Sequence, residues 1–279
     1  MKGQTIDSVI DAALQEDLPQ GDITSESIIP VGSRSQAIIL AKESGILAGM
    51  DVARRVFEKI DPGVEFEKEK NDGQKFNDGE RLALLQGSSI SLLKGERTAL
   101  NFLQRMSGIA TTTGIFVQAL EGTETKILDT RKTTPGLRDL EKYAVKMGGG
   151  QNHRQNLSEM VLIKDNHLKL VGSISEAVKR AKERVAPGIK VEVEATCLTE
   201  VQEAVRSGAD MVMLDNMQVD KMKEVVKWVK GKVPLEVSGS VKLEKIKEIA
   251  ALGIDFISIG SLTHSYKSVD ISMEFLGEL

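Results

Sequence analysis

The stretch IKVEVEATCLTEVQEAVRSGADMVMLDN, Ile189 to Asn216, carries two short apolar runs separated by an amphipathic one. IKVEVEAT and ADMVMLDN are rich in Val, Met and Leu, and each ends in polar or charged residues, as strands buried on both faces of a parallel sheet do. LTEVQEAVRSG between them reads as an amphipathic helix. Strand, helix and strand form one α/β step, and the chain repeats it. TKILDT, EMVLIKDN, VPLEVSGS and IDFISIGSLTH are runs of the same kind, interleaved with SISEAVKRAKER, VDKMKEVVKWVK and KLEKIKEIAALG.

These six units occupy about 160 residues from residue 107 onward, whereas a complete eight-unit barrel takes about 250. A shortened or partly open barrel over 107–266 is expected; a flat doubly wound sheet competes with it, because periodicity does not decide closure. The first hundred residues differ. Alternating stretches such as SQAIILAKESGILAG and GERLALLQG surround KNDGQKFNDGE, whose two Asp-Gly pairs are turn signals between short antiparallel strands. A separate α+β domain over 1–106 is expected. A helical pattern from Ser89 to Phe102 carries Arg97 and leads into the barrel. Near the end, VDISMEFL alternates apolar and polar residues with period two, so 267–279 is expected to join the first domain's sheet.

Composition narrows the function classes. The 279 residues are 41% hydrophobic and 28% charged, ordinary for a soluble globular protein, and no apolar run reaches a membrane span. The formal net charge of −4 argues against a general nucleic-acid surface. Cys197 is the only cysteine, which leaves no disulfide framework or thiolate metal cluster, and no export signal precedes the first helix. A cytoplasmic location follows as an expectation.

In barrels and open α/β sheets chemistry gathers at the carboxyl ends of the strands. The residues there are Arg131 with Lys132, Lys164 with Asp165, Asn166 and His167, Glu194, Asp215 with Asn216, Ser238 with Gly239, and Gly260 with Ser261; GGGQNHR adds His153 and Arg154. Arg131, Lys132, His153, Arg154 and Lys164 bring up to five cations or donors to one mouth. Such a cluster suggests a multiply anionic ligand, a carboxylate or a phosphate. The small residues of SGSVKLE and IGSLTH follow the last two strands, where barrels often bind phosphate through backbone N–H groups. Glu194 and Asp215 are read either as Mg²⁺ or ribose partners or as neutralisers of the basic cluster. Trp228 is read as packing its helix on the barrel, Cys197 as a packed side chain and His264 as a local turn residue.

Together these residues resemble the quinolinate phosphoribosyltransferase family. The motifs are EDLPQGDIT, AKESGILAG, GERTALNFLQRMSGIAT, LDTRKTTPGLRDLEKYAVKMGGGQNHR, LIKDNH, VEVE, LDNM, SGS and ISIGSLTHS, which span nearly the whole chain. The resemblance implies an N-terminal α+β open sandwich domain plus an incomplete, six- to seven-stranded α/β barrel, in a homodimer whose site is shared between subunits. It implies quinolinate contacts from Arg131, His153, Arg154 and Lys164, with Arg97 supplied by the other subunit. Lys132 and Lys164 then meet the pyrophosphate of 5-phosphoribosyl-1-pyrophosphate. Glu194 and Asp215 serve its ribose and, through water, Mg²⁺, and Ser238, Gly239, Ser240, Gly260 and Ser261 form the 5-phosphate loops. The family's usual SGG and GAL stand here as Ser238-Gly239-Ser240 and Gly260-Ser261-Leu262. The implied reaction is Mg²⁺-dependent phosphoribosyl transfer with decarboxylation to nicotinate mononucleotide, in NAD biosynthesis, with Lys164, Glu194 and Asp215 as catalytic residues and no organic cofactor. Two other readings stay open: a Schiff-base lyase using Lys164, and a related protein for another small anion.

Overall fold

The structure is a computed structural model that describes residues 3–279; residues 1 and 2 of the expected N-terminal domain lie outside it. Its chain divides into two compact units. One comprises the described residues up to Gly114 with Thr133–Gly149 and Leu262–Leu279, and the other comprises Ile115–Lys132 and Gly150–Ser261.

The first unit begins with helices α1 (Gly3–Asp17) and α2 (Ile23–Ile28), followed by strand β1 (Arg34–Ala41), β2 (Gly45–Ile46) and helix α3 (Met50–Ile60). Strands β3 (Glu65–Lys68), β4 (Lys75–Phe76) and β5 (Arg81–Ser88) come next, and helix α4 (Ser89–Ala119) starts where β5 ends. With the last strand, β12 (Ile271–Glu278), the antiparallel sheet has the order β12-β1-β5-β3, while β2 and β4 form a separate pair. The two Asp-Gly pairs do form turns, with Gly73 at φ 87° and Gly79 at φ 78°, conformations that favour glycine. Asp72 also works as a cap: its carboxylate accepts the N–H groups of Gly49 and Met50 at the start of α3, and the Tyr143 hydroxyl donates to it at 2.8 Å. Burial, and then Asp72, push the Tyr143 phenol well above its usual range.

Helix α4 runs 31 residues, well past the expected end at Phe102. Its later turns contain Gly108 and a Thr-Thr-Thr-Gly run, which read as helix breakers. Packing overrides that preference. A Cβ on Gly108 would lie 2.2 Å from the Lys267 carbonyl oxygen, so only glycine lets the chain before β12 cross the helix this closely. Helix α5 (Arg138–Met147) also belongs to this unit and buries Leu140, Glu141, Lys142, Ala144 and Val145.

The second unit holds the parallel sheet. Its strands are β6 (Lys126–Leu128), β7 (Val161–Ile163), β8 (Val191–Ala195), β9 (Met211–Asp215), β10 (Leu235–Ser238) and β11 (Phe256–Ser258). Helices α6 (Asp165–Val171) and α7 (Ile174–Arg184) lie between β7 and β8 in the chain; α8 (Leu198–Arg206), α9 (Val219–Val229) and α10 (Leu243–Ala250) follow β8, β9 and β10, and the short α11 (Ser261–His264) follows β11. The strand order β6-β11-β10-β9-β8-β7 decides the topology. The first strand pairs with the last, and every sequential pair except β6 with β7 is hydrogen-bonded, which is a barrel opened at one seam. A doubly wound sheet would instead place its first strand in the interior. Part of the seam is covered by Gln151, which makes an isolated parallel bridge to Leu128.

One detail departs from the sequence reading and another agrees with it. Trp228 is half-buried beneath the ammonium of Lys232, 4.5 Å from its ring centroid, because the buried stripe of α9 runs through Met222, Val225 and Val229 instead. His264 does act locally, with Nδ1 2.7 Å from the Ser265 hydroxyl. No helix among the described residues is long and apolar enough to cross a membrane.

Candidate active site

The strand ends of the parallel unit present the expected polar residues. After β6 the chain reaches Asp129, which is fully buried. Its Oδ1 accepts the backbone N–H of His153 at 2.9 Å and its Oδ2 accepts the side-chain amide of Asn152. Asp129 thereby ties the end of β6 to the loop that carries His153 and Arg154. Arg131 and Lys132 follow at once, Arg131 partly buried and Lys132 exposed.

Arg154 lies close enough to Arg131 to feel its charge. Burial first, then repulsion from Arg131, lowers the Arg154 pKa from the usual guanidinium value, with Glu192 opposing. Its Nη1 donates to the Met160 carbonyl at 2.9 Å, which orients the fork. Two like charges held together favour a ligand that carries the opposite charge.

Beneath them lies a buried cluster. His153 Nε2 is 3.0 Å from Glu192 Oε2 in β8 and 3.4 Å from Glu236 Oε2 in β10, and both glutamates are 0% exposed. Burial lowers the His153 pKa, but the two carboxylates outweigh it and raise the group to about 9. Burial, as the largest cause, pushes Glu192 up to about 7. The shifts belong to the cluster as a whole, whose shared proton sits either on the ring, over two carboxylates, or between the carboxyl groups beside a neutral imidazole. The Arg154 backbone N–H, 2.7 Å from Nδ1, selects the second arrangement, because a protonated Nδ1 could not accept it. Glu192 Oε1 and Glu236 Oε2 are buried without a hydrogen-bond partner among the described residues, and one proton shared between the carboxyl groups would give each of them one.

Lys164 ends β7 and is half exposed, with Nζ 3.2 Å from Glu194 Oε2 at the end of β8. Its backbone N–H donates to His167 Nδ1 at 2.9 Å, closing the first turn of α6. Asp215 ends β9 opposite Ser238 of β10 and accepts the Asn216 amide at 2.9 Å. Asn216 has φ 49°, and its N–H donates to the Ser238 carbonyl at 3.0 Å. Gly239 has φ 124°, and a Cβ there would lie 2.4 Å from Asn216 Oδ1. A cavity of about 230 Å³ opens beside this pair, lined in part by Asn216, Ser238, Ser240 and Lys245. Lys245 escaped the sequence reading because it stands in the first turn of α10, well beyond the strand end at Ser238. Gly260 and Ser261 follow β11 at the start of α11. Arg97, on α4 of the other unit, is 61% exposed at its side chain.

A partly open parallel barrel with cations, carboxylates and small-residue loops at its strand ends belongs to the α/β-barrel enzymes that bind anions. The particular family is shown by comparison. Residues 22–107 match the family model for the quinolinate phosphoribosyl transferase N-terminal domain, and residues 109–274 match that for the C-terminal domain. The chain is 44% identical over 260 residues to a probable nicotinate-nucleotide pyrophosphorylase [carboxylating] of Bacillus subtilis, covering 93% of this chain and 89% of that one. It is 41% identical to a chloroplastic protein of the same name from Arabidopsis thaliana, covering 98% of this chain and 83% of that one. The crystal structure of NadC from Streptococcus pyogenes superposes with a TM-score of 0.97 at 41% identity, covering 100% of this chain and 99% of that one. The chain belongs to the quinolinate phosphoribosyltransferase family and is a pentosyltransferase enzyme.

Proposed function

We propose that this enzyme transfers the phosphoribosyl group of 5-phosphoribosyl-1-pyrophosphate to the ring nitrogen of quinolinate, releasing pyrophosphate and CO₂ and leaving nicotinate mononucleotide, a step of NAD biosynthesis in the cytoplasm. The observation that carries the reading is the nearness of Arg131 to Arg154, close enough for the one charge to lower the other's pKa. Two planar guanidiniums suit two adjacent carboxylates on an aromatic ring. Lys132 and Lys164 face the pyrophosphate, and the loops at Ser238–Ser240 and Gly260–Ser261 take the 5-phosphate, joined by Lys245.

As the bond from the anomeric carbon to pyrophosphate breaks, the ring nitrogen attacks that carbon, and the lysines stabilise the departing charge. Glu194 and Asp215 hold the ribose. They are also oxygen donors of the kind a hard divalent cation such as Mg²⁺ takes through water, and when bound it neutralises charge on the leaving group. Once ribosylated, the pyridinium nitrogen accepts the electron pair of the breaking C–CO₂ bond, and a proton returns to the ring carbon; we assign that delivery to Lys164. Positioning of two anionic substrates is most of the work. The active unit is a homodimer, with Arg97 reaching the neighbouring subunit's pocket.

The test is incubation with quinolinate, 5-phosphoribosyl-1-pyrophosphate and Mg²⁺, following nicotinate mononucleotide and CO₂ together, with nicotinate as the control substrate. Both products from quinolinate alone support the reading. Product from nicotinate, or none from either, overturns it.

A further inference from the structure

Glu192 and Glu236 stand at the second position of their strands, below the mouth where ligands meet the protein. Burying two acids so close together is costly unless each is hydrogen-bonded, so their presence calls for a reason. Both converge on one atom, His153 Nε2, from strands that are separated by β9. Glu236 is braced in turn by the Ser258 hydroxyl from β11, which donates to its Oε1. Three strands of the barrel therefore fix one imidazole.

The ring passes that constraint upward. Its Nδ1 accepts the backbone N–H of Arg154, so the ring plane sets the peptide that launches the Arg154 side chain. Asp129 holds the same loop from the side through the His153 N–H. The loop has no strand of its own, and Gln151 makes only a single bridge to β6. Without the grip from below, the Arg154 side chain would be directed by the Met160 carbonyl and its loop held by Asp129 only.

We propose that Glu192 and Glu236 are positioning residues for dicarboxylate recognition: Glu192 accepts the Nε2–H of His153, Glu236 stands 3.4 Å from the same nitrogen, and the ring held between them sets Arg154 at the angle its carboxylate partner needs. The inference rests on the quinolinate reading of the pocket. The two glutamates act from below the strand ends by orienting the loop of His153 and Arg154, so their loss degrades quinolinate binding while the phosphate loops that follow β10 and β11 keep their backbone.

The test uses the full-length enzyme with Glu192→Met and Glu236→Met, which keep volume and remove the acceptor, and with Glu192→Gln and Glu236→Gln, which keep an acceptor oxygen. The expected result is a quinolinate KM raised tenfold or more in the Met variants and restored to within threefold of wild type in the Gln variants, with the KM for 5-phosphoribosyl-1-pyrophosphate within threefold throughout. Nitrogen-15 NMR of the imidazoles, simplified by there being only three histidines, should show His153 carrying its proton on Nε2 in wild type and in the Gln variants. Met variants that melt like wild type and keep its quinolinate KM overturn the proposal, and so does a proton on Nδ1 in the wild-type spectrum. If the Met variants do not fold, the NMR spectra and the Gln variants decide. A wild-type enzyme that shows the expected tautomer but makes no product from quinolinate would fail the functional reading alone, whereas turnover with the wrong tautomer would fail this inference alone.

Discussion

Asp129 Oδ1 accepts the backbone N–H of His153 at 2.9 Å, although 24 residues separate them, and this bond joins the two halves of the cation pocket. Replacing Asp129 by alanine leaves a part-buried donor without its acceptor, which costs about 1–3 kcal/mol. The melting temperature of Asp129→Ala should fall by roughly 2–10 °C, and quinolinate KM should rise because the loop carrying Arg154 is released. Calorimetry with steady-state kinetics on one preparation checks both.

Arg131→Ala and Arg154→Ala should each raise the quinolinate KM by about a hundredfold, from loss of charge-assisted bonds worth about 1.5–3 kcal/mol. Arg131→Lys should recover little, since a point charge cannot replace a planar fork. Melting temperatures should stay near wild type, or rise, because each deletion relieves repulsion between the two guanidiniums. Titration calorimetry with quinolinate is the direct measurement.

At Gly239 the backbone lies at φ 124° and Asn216 Oδ1 occupies the space a Cβ would take. Gly239→Ala should therefore distort the loop, with strain of order 1–3 kcal/mol, and raise the KM for 5-phosphoribosyl-1-pyrophosphate about tenfold while sparing quinolinate binding. Ser240→Gly, which restores the usual family residue on an exposed position, should change neither constant by more than about twofold. Comparing the two variants separates backbone shape from side-chain identity in the phosphate loop.

Stability should fall on the alkaline side. The His153–Glu192–Glu236 cluster binds its shared proton more tightly in the folded protein than its members do unfolded, with His153 raised from 6.5 to about 9, so its contribution is complete below pH 6.5 and is lost as pH rises through about 9. Glu192, raised from 4.5 to about 7, acts in the same direction, because the folded state again holds the extra proton. Asp22, lowered chiefly by the Ser25 hydroxyl, has the opposite sign and loses its contribution as pH falls below the ordinary carboxylate range. Melting temperatures from pH 6 to 10 should decline for wild type, and more gently for a Glu192→Gln, Glu236→Gln double variant.

The parallel strands were legible because each is a short, nearly uninterrupted apolar run. Arg131, Lys132 and Lys164 were legible because each stands just past such a run, and His153 and Arg154 because they follow the Gly148–Gly150 run between two of those strands. Closure was not, since it is a matter of which strands pair, and no local pattern records that β6 meets β11. The long course of α4 was hidden because Gly108 breaks helices in isolation and becomes necessary only when another segment crosses it. Glu192 and Glu236 left a faint trace, an acid enclosed by apolar residues in VEV and again in LEV. A charge inside a strand otherwise buried on both faces needs a partner, and that conflict was the available signal. Their shared partner is 39 residues from one and 83 from the other along the chain, by numbering alone, and only the curled sheet brings the three together.

The seam between β6 and β7 has a mechanical side. Removing a strand from a closed ring breaks two ladders, but β7, three residues long, is held by its single ladder to β8. Unravelling of the parallel unit thus has a natural starting edge, and it is the edge that ends in Lys164. An anion bridging Lys164 to the guanidiniums on the β6 side would fasten the two open edges to each other. Substrate would then act as a rivet, slowing amide exchange in β7 more than in the interior strands.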